Sequence, residues 1–259
     1  MSDGVIHTAF IHDFSKFQEN CEIDRQVIAA LGSVLAGSDR PLIITSGTGM
    51  ASPAPGRLVT EEDVAASGPA AIPRVASEEA AASVAASGIR VSVVRLPQVH
   101  DRVKQGLVTY LIGLTREKGV SAFVGDGLNR WSAVHRLDAA HLYRLALERG
   151  RPEAVITASP TRAYRLERSL TSGRGLNVPV VAKSPEEAAA HFGWLALFVG
   201  LDLPASSAQT QERLGWHPTG PGLIADPEQM RYFEARRASG GASALLVLSC
   251  VNPRINQRC

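Results

Sequence analysis

The chain has 259 residues, with 27 Lys plus Arg against 25 Asp plus Glu, a formal net charge of +2, so no nucleic acid or other polyanion is implied as a partner. Hydrophobic residues make up 45% and charged residues 20%, which excludes intrinsic disorder for most of the chain and suffices for one large core or two modest ones. Cys21, Cys250 and Cys259 are far apart with no metal-binding spacing, no apolar run reaches membrane-spanning length, and the N-terminus carries no secretory pattern, so a cytoplasmic protein without a membrane partner is expected.

Residues 4–9 form a short β-branched apolar run and read as a buried strand. Over 20–36 the positions Ile23, Val27, Ile28, Leu31, Val34 and Leu35 recur at helical spacing, and Gly37 stands where a C-terminal cap belongs. Residues 41–46 make a second strand, followed by a glycine- and proline-rich loop through Gly56. A helix is predicted over 74–86, closed by Gly88, and a third strand over 91–96. Strands alternating with helices predict an α/β fold, a parallel sheet covered on both faces.

Beyond Pro97 helices are predicted at 103–117, 137–148, 185–198 and 206–214, with short strands at 122–124 and 178–182. This reads as a smaller mixed lobe. The expected division is 1–100 for the sheet domain, 101–235 for the lobe and elements returning to the sheet, and 236–259 for a tail with no recognisable pattern.

Ser46 sits at the predicted C-terminal end of a parallel strand, where open sheets place their ligand crevice; it equally suits the opening of a turn. A nucleophile elbow is excluded, because Ile44-Thr-Ser-Gly-Thr48 lacks both glycines of Gly-x-Ser-x-Gly. The pairs Gly47-Thr-Gly49 and Gly125-Asp-Gly127 lack the third glycine of a dinucleotide loop and read as turns. His135 and Asp138 fit a helix-start capping pair better than metal ligands, and no metal site is expected. The stretch 192–199 reads as a packed helix or as an apolar wall facing a substrate.

Taken in order, several segments resemble the extended short-chain dehydrogenase/reductases of the NAD-dependent epimerase/dehydratase group. Asp3-Gly-Val-Ile-His-Thr-Ala9 is similar to the fourth-strand motif, Leu42-Ile-Ile-Thr-Ser46 to the fifth strand with its active-site serine, and Val93-Val-Arg-Leu-Pro97 to the sixth. Trp131-Ser-Ala-Val-His-Arg-Leu-Asp138 resembles the late V-H-V-x-D motif, and Leu214-Gly-Trp-His-Pro218 the L-G-W-x-P signature. The resemblance implies a Rossmann-type sheet, a small C-terminal substrate lobe, and NAD or NADP across the strand ends. It implies that Ser46 bonds the substrate's reacting oxygen, and that Thr8, Ala9, Phe10, Ser46 and Pro97 line the cofactor. Gly47, His135 and Asp138 would lie around the substrate. A homodimer is the assembly it allows.

Two departures stand beside these matches. Where the family carries Y-x-x-x-K, whose lysine lowers the tyrosine's pKa for proton transfer, this chain has Arg74 and Glu78. Arg74 holds its proton too tightly to act as an acid near neutral pH. The pair reads either as a surface i,i+4 ion pair or as the mark of an atypical branch in which Ser46 and a substrate group, or a bound water, replace the tyrosine, with Ser46, Arg74 and Glu78 as the catalytic candidates. The family's opening strand and G-x-x-G-x-x-G turn are also absent, an expected shortfall of about 60 to 80 residues.

Residues 151–172 hold an arginine-rich stretch without a clean period where the family has a strand and an amphipathic helix, and a shifted reading frame there is expected to restore the family pattern. The function implied is an NAD(P)-dependent oxidoreductase or epimerase acting on a small alcohol, ketone or sugar-like substrate. The alternative is a non-enzymatic NAD(P)-binding sensor of the same fold.

Overall fold

The structure is a computed structural model that describes residues 2–51, 56–65, 72–152, 154–159, 163–165 and 177–223. The expected tail at 236–259, and residues 153, 160–162 and 166–172 of the irregular segment, lie outside the described residues.

The first layer is a parallel sheet of β1 (Val5–His7), β2 (Leu42–Gly47), β3 (Val91–Leu96) and β7 (Val155–Thr157), ordered β1-β2-β3-β7. Residues of β2 alternate between its faces. Leu42 and Ile44 pack with Ile28, Leu35 and Val84 of α1 (Phe17–Leu35) and α2 (Ala76–Ala86), while Ile43 packs with Leu142 and Leu145 of α4 (Arg136–Arg149). The doubly covered α/β sheet expected from the sequence is therefore formed.

α1 begins and ends close to its expected bounds, and Gly37 takes the left-handed conformation (φ +72°) that a glycine after a helix end supplies readily. Its buried stripe differs from the apolar one. Asn20, Cys21, Asp24, Ile28, Gly32 and Leu35 face inward, whereas Ile23, Val27 and Val34 are exposed, Val34 at 75%. The inward stripe carries polar groups because those groups have partners: Asp24 meets His7 of β1 and Ser77 of α2, and Asn20 donates to the Asp13 carbonyl. Gly32 is needed for the close approach of α1 to α2, since a Cβ there would lie 2.6 Å from Val84 Cγ1.

The remaining strands form two further sheets. β4 (Gln98–His100) and β6 (Arg130–His135) pair in parallel, with β8 (Ala163–Arg165) antiparallel to β6. β5 (Ser121–Val124) pairs in parallel with β9 (Val180–Lys183). With α3 (Leu107–Lys118) and the helices Pro185–Phe192 and Ala196–Val199 they enclose a second core around Leu111, Ile112, Trp131, Phe192 and Leu195. The predicted helix over 185–198 is broken at Gly193, whose φ of +56° ends its first part. A last helix, Ala208–Leu214, ends at Gly215.

β4, β6, β7 and β8 were not expected as strands. Three of them have three residues each, too short to show a period, and β6 has buried residues at four consecutive positions rather than an alternation. β7 falls in the irregular segment and nonetheless joins the main sheet beside β3. Among the described residues no helix is long and apolar enough to cross a membrane, and no cluster of three His, Cys, Asp or Glu side chains could hold a metal ion.

Candidate functional site

The parallel register sets Ser46 of β2 beside Arg95 of β3, and neighbours in a parallel pair face the same side of the sheet. That side is covered by α2, which brings Glu78 between them. Ser46 Oγ donates to Glu78 Oε1 at 2.6 Å. Arg95 Nε donates to the same oxygen at 2.9 Å, and its Nη2 to Glu78 Oε2 at 2.7 Å, a two-pronged contact that fixes the carboxylate. Arg95 Nη1 donates to the carbonyl of Asp63 at 2.7 Å.

Arg74 belongs to a different group. Its Nη1 donates to Asp24 Oδ2 at 2.6 Å and to Ser77, its Nη2 donates to the Thr45 carbonyl at 2.8 Å, and its guanidinium lies 4.1 Å from the Phe10 ring centre. Asp24 also meets His7 Nε2 at 2.8 Å and accepts from Ser77 Oγ at 2.5 Å. The surface i,i+4 ion pair between Arg74 and Glu78 is thus not formed. Both side chains are buried, and each is neutralised by a charge from another element, Asp24 of α1 and Arg95 of β3.

These contacts set protonation. Burial raises the Asp24 carboxyl, but bonds from His7 and Ser77 and the Arg74 charge outweigh it and hold the group below the ordinary carboxylate range. Burial lowers the Arg74 guanidinium, opposed chiefly by the Asp24 charge. Tyr143 of α4 shares a 2.6 Å hydrogen bond with Thr45 Oγ1, and burial pushes its phenol up to about 12, tempered by that bond and by Arg74. Burial also lowers His12, which stands in the loop after β1 with its ring against Phe10.

At the C-terminal ends of β2 and β3 a cavity of about 130 Å³ opens between the sheet and the second core. Gly47, Thr48, Pro97 and Gln98 form one side, with Leu107, Trp131 and Phe198 opposite. A larger cleft of about 540 Å³ runs along α2 and touches Glu78 and Arg95, but it extends away from the strand ends toward Ala86 and Val91. The candidate site is the smaller cavity, since ligands of open parallel sheets sit at the strand ends.

Of the residues singled out from the sequence, Ser46 and Glu78 are brought together under α2 and Arg74 joins Asp24 instead; none of the three lines the cavity, whereas Gly47 and Pro97 do. Thr8 and Ala9 are exposed after β1, with half-buried Phe10 over Arg74. His135 and Asp138 do not line the cavity. His135 caps α4 by accepting from the Leu137 N–H, and Asp138 accepts from the N–H groups of Thr219 and Gly220 while its carbonyl receives Trp216 Nε1. Sequence reasoning missed Arg95, Asp24 and Gln98. The spacing of Arg95 to Ser46 is set by strand register, which leaves no local signal.

No protein-family model matches the chain. It is 45% identical over 233 residues to the uncharacterized protein C2A9.02 of Schizosaccharomyces pombe, covering 89% of this chain and 78% of that protein. It is 39% identical over 227 residues to the uncharacterized protein YLL056C of Saccharomyces cerevisiae, covering 87% and 75%. The chain belongs to the family of these two fungal proteins.

Among solved structures, the fold of this family member matches the Bordetella bronchiseptica enzyme WbmG in complex with NAD and UDP (TM-score 0.67, 15% identity, 90% of this chain and 73% of that one). It also matches the dTDP-glucose 4,6-dehydratase DesIV of Streptomyces venezuelae with NAD and TYD bound (0.66, 16%, 88% and 74%). A third match is RMD of Pseudomonas aeruginosa complexed with NADPH (0.63, 16%, 88% and 82%). The Rossmann-like α/β fold of the extended dehydratases and epimerases is therefore the fold of this chain.

Proposed function

We propose that this chain is built for NAD(P)-dependent oxidoreductase chemistry on a small alcohol, ketone or sugar-like molecule held at the strand ends. The observation that carries this is the cavity at the ends of β2 and β3, lined by Gly47 and Pro97, at the crevice where a sheet of this topology meets its ligand. The solved structures of the same fold, crystallised with NAD or NADPH, support the choice of cofactor class. A bound nicotinamide cofactor would supply or accept the hydride.

The fit of such a cofactor is one-sided. Pro97 and Gly47 leave room at the cavity, and the Thr8–Ala9–Phe10 loop is open at the end of β1. No G-x-x-G-x-x-G run to receive a pyrophosphate occurs among the 259 residues given. The Tyr-Lys proton relay is replaced by two internally neutralised ion pairs, with Ser46 hydrogen-bonded to one of them.

That replacement favours a second reading, a cofactor-binding sensor without turnover. Titration of NADH and NADPH, followed by melting temperature and fluorescence, tests the cofactor class. Saturable binding weakened by Phe10→Ala supports it, and no binding up to millimolar concentration sinks it. Turnover of any alcohol or ketone by the bound form selects the enzyme over the sensor.

A further inference from the structure

The polarity of the cavity differs from what the resemblance implies for Ser46. Ser46 does not line the cavity, and its hydroxyl proton is directed to Glu78, whose carboxylate is held by Arg95. A substrate oxygen needs a donor from elsewhere.

Gln98 carries one. It lies two residues beyond the end of β3 and lines the cavity. Its Oε1 accepts the Leu107 N–H at 2.9 Å, satisfying a backbone donor in the first turn of α3. Gly106 makes this possible: its φ is +54°, and a Cβ there would lie 2.6 Å from Oε1. The Leu107 donor fixes which end of the carboxamide is oxygen, since the reversed amide would set two donors against each other. Nε2 is thereby left as a pure donor, and no described residue accepts from it. The other polar side chains of the wall are less committed to that role. Trp131 Nε1 already donates to Leu201 O, while Ser132, whose Oγ accepts from Ala205 N–H, and Thr48 carry hydroxyls that can donate or accept. The rest of the lining is largely apolar, with Met50, Ile72, Leu96 and Leu203 among it.

We propose that Gln98 Nε2 is the donor that binds the substrate's oxygen, and that the substrate is a small carbonyl compound or alcohol with an apolar body. This rests on the placement of the site given above, but it needs no cofactor to be tested. The full chain, labelled with nitrogen-15, is titrated with cyclohexanone and separately with methylenecyclohexane, a hydrocarbon of similar shape without the oxygen.

The side-chain amide signals of Gln98, identified by their loss in Gln98→Glu, are expected to move with the ketone and stay still with the hydrocarbon. Gln98→Glu keeps an acceptor for Leu107 and is expected to weaken ketone binding about tenfold. Ketone binding that leaves the Gln98 amide unmoved, or no binding of the ketone, overturns the proposal; if Gln98→Glu fails to fold, sequential assignment of the wild-type chain identifies the Gln98 amide and its shifts decide it. An NADH titration of the same sample separates the two ideas, because loss of cofactor binding sinks the oxidoreductase reading and leaves the Gln98 result standing.

Discussion

Arg74, in the 3-10 turn Pro73–Val75 that leads into α2, and Glu78, in the first turn of α2, do not pair with each other; Arg74 reaches Asp24 on α1 at 2.6 Å and Glu78 reaches Arg95 on β3 at 2.7 Å. Two buried ion pairs thus tie α2 to the helix on one side and to the sheet beneath. Buried pairs of this kind contribute little net stability, because desolvation offsets attraction, but removing one partner leaves a charge with nothing to balance it.

Arg95→Met is therefore expected to destabilise the protein by about 3–5 kcal/mol, and the double variant Glu78→Leu/Arg95→Met to recover much of that loss. Urea unfolding measures both. A single variant within about 1 kcal/mol of the parent would mean that Glu78 is not held by Arg95.

The depressed Asp24 carboxyl predicts sensitivity to acid. Its folded pKa lies below the unfolded value of about 3.9, so its contribution is fully present above that value and is lost as pH falls through the folded pKa. Melting temperatures of the parent and Asp24→Asn should differ at pH 6 and converge as the pH drops below about 4. A gap that stays constant down to pH 2 would show that Asp24 is not depressed.

Tyr143 predicts the opposite slope at high pH. Its phenol is raised to about 12, above the unfolded value of about 10, so its contribution is intact below pH 10 and fades as pH rises from there through the folded value. Tyr143→Phe, which lacks the group, should show less alkaline loss over that window, read by circular dichroism.

Cys21 is buried, and burial pushes its thiol up to about 11. A thiolate is needed for alkylation, so iodoacetamide at pH 7.5 should modify Cys21 in the folded protein far more slowly than in urea. Peptide mapping by mass spectrometry follows this residue alone, and equal rates in both states would contradict the packing of α1.

Gly32→Ala should destabilise by about 1–3 kcal/mol, because the new methyl would overlap Val84 Cγ1 on α2. Adding Val84→Ala should relieve most of the strain. Failure of that rescue would place the cost in the helix itself rather than in the α1–α2 contact.

Three strands of the main sheet and the helices between them were legible in the sequence because β2, β3, α1 and α2 each carry a local signal: short stretches rich in apolar and β-branched residues, helical spacing, and glycines at Gly37 and Gly88 that end helices. The apolar stripe on α1 misled about which side turns inward, since Asp24 and Asn20 are buried by partners that no window of α1 contains. Ser46 could be placed at a strand end from its neighbours alone; its bond to Glu78, 32 positions away, could not.

The sequence by itself thus determined an α/β protein with Ser46 at a strand end and without the Tyr-Lys pair. The tertiary structure decided what those residues do. Strand register put Arg95 beside Ser46, helix packing gave Arg74 to Asp24, and the start of α3 turned the Gln98 carboxamide. Such partners are chosen by which buried charge or donor must be satisfied once the elements close together, a requirement that exists only after the chain has folded.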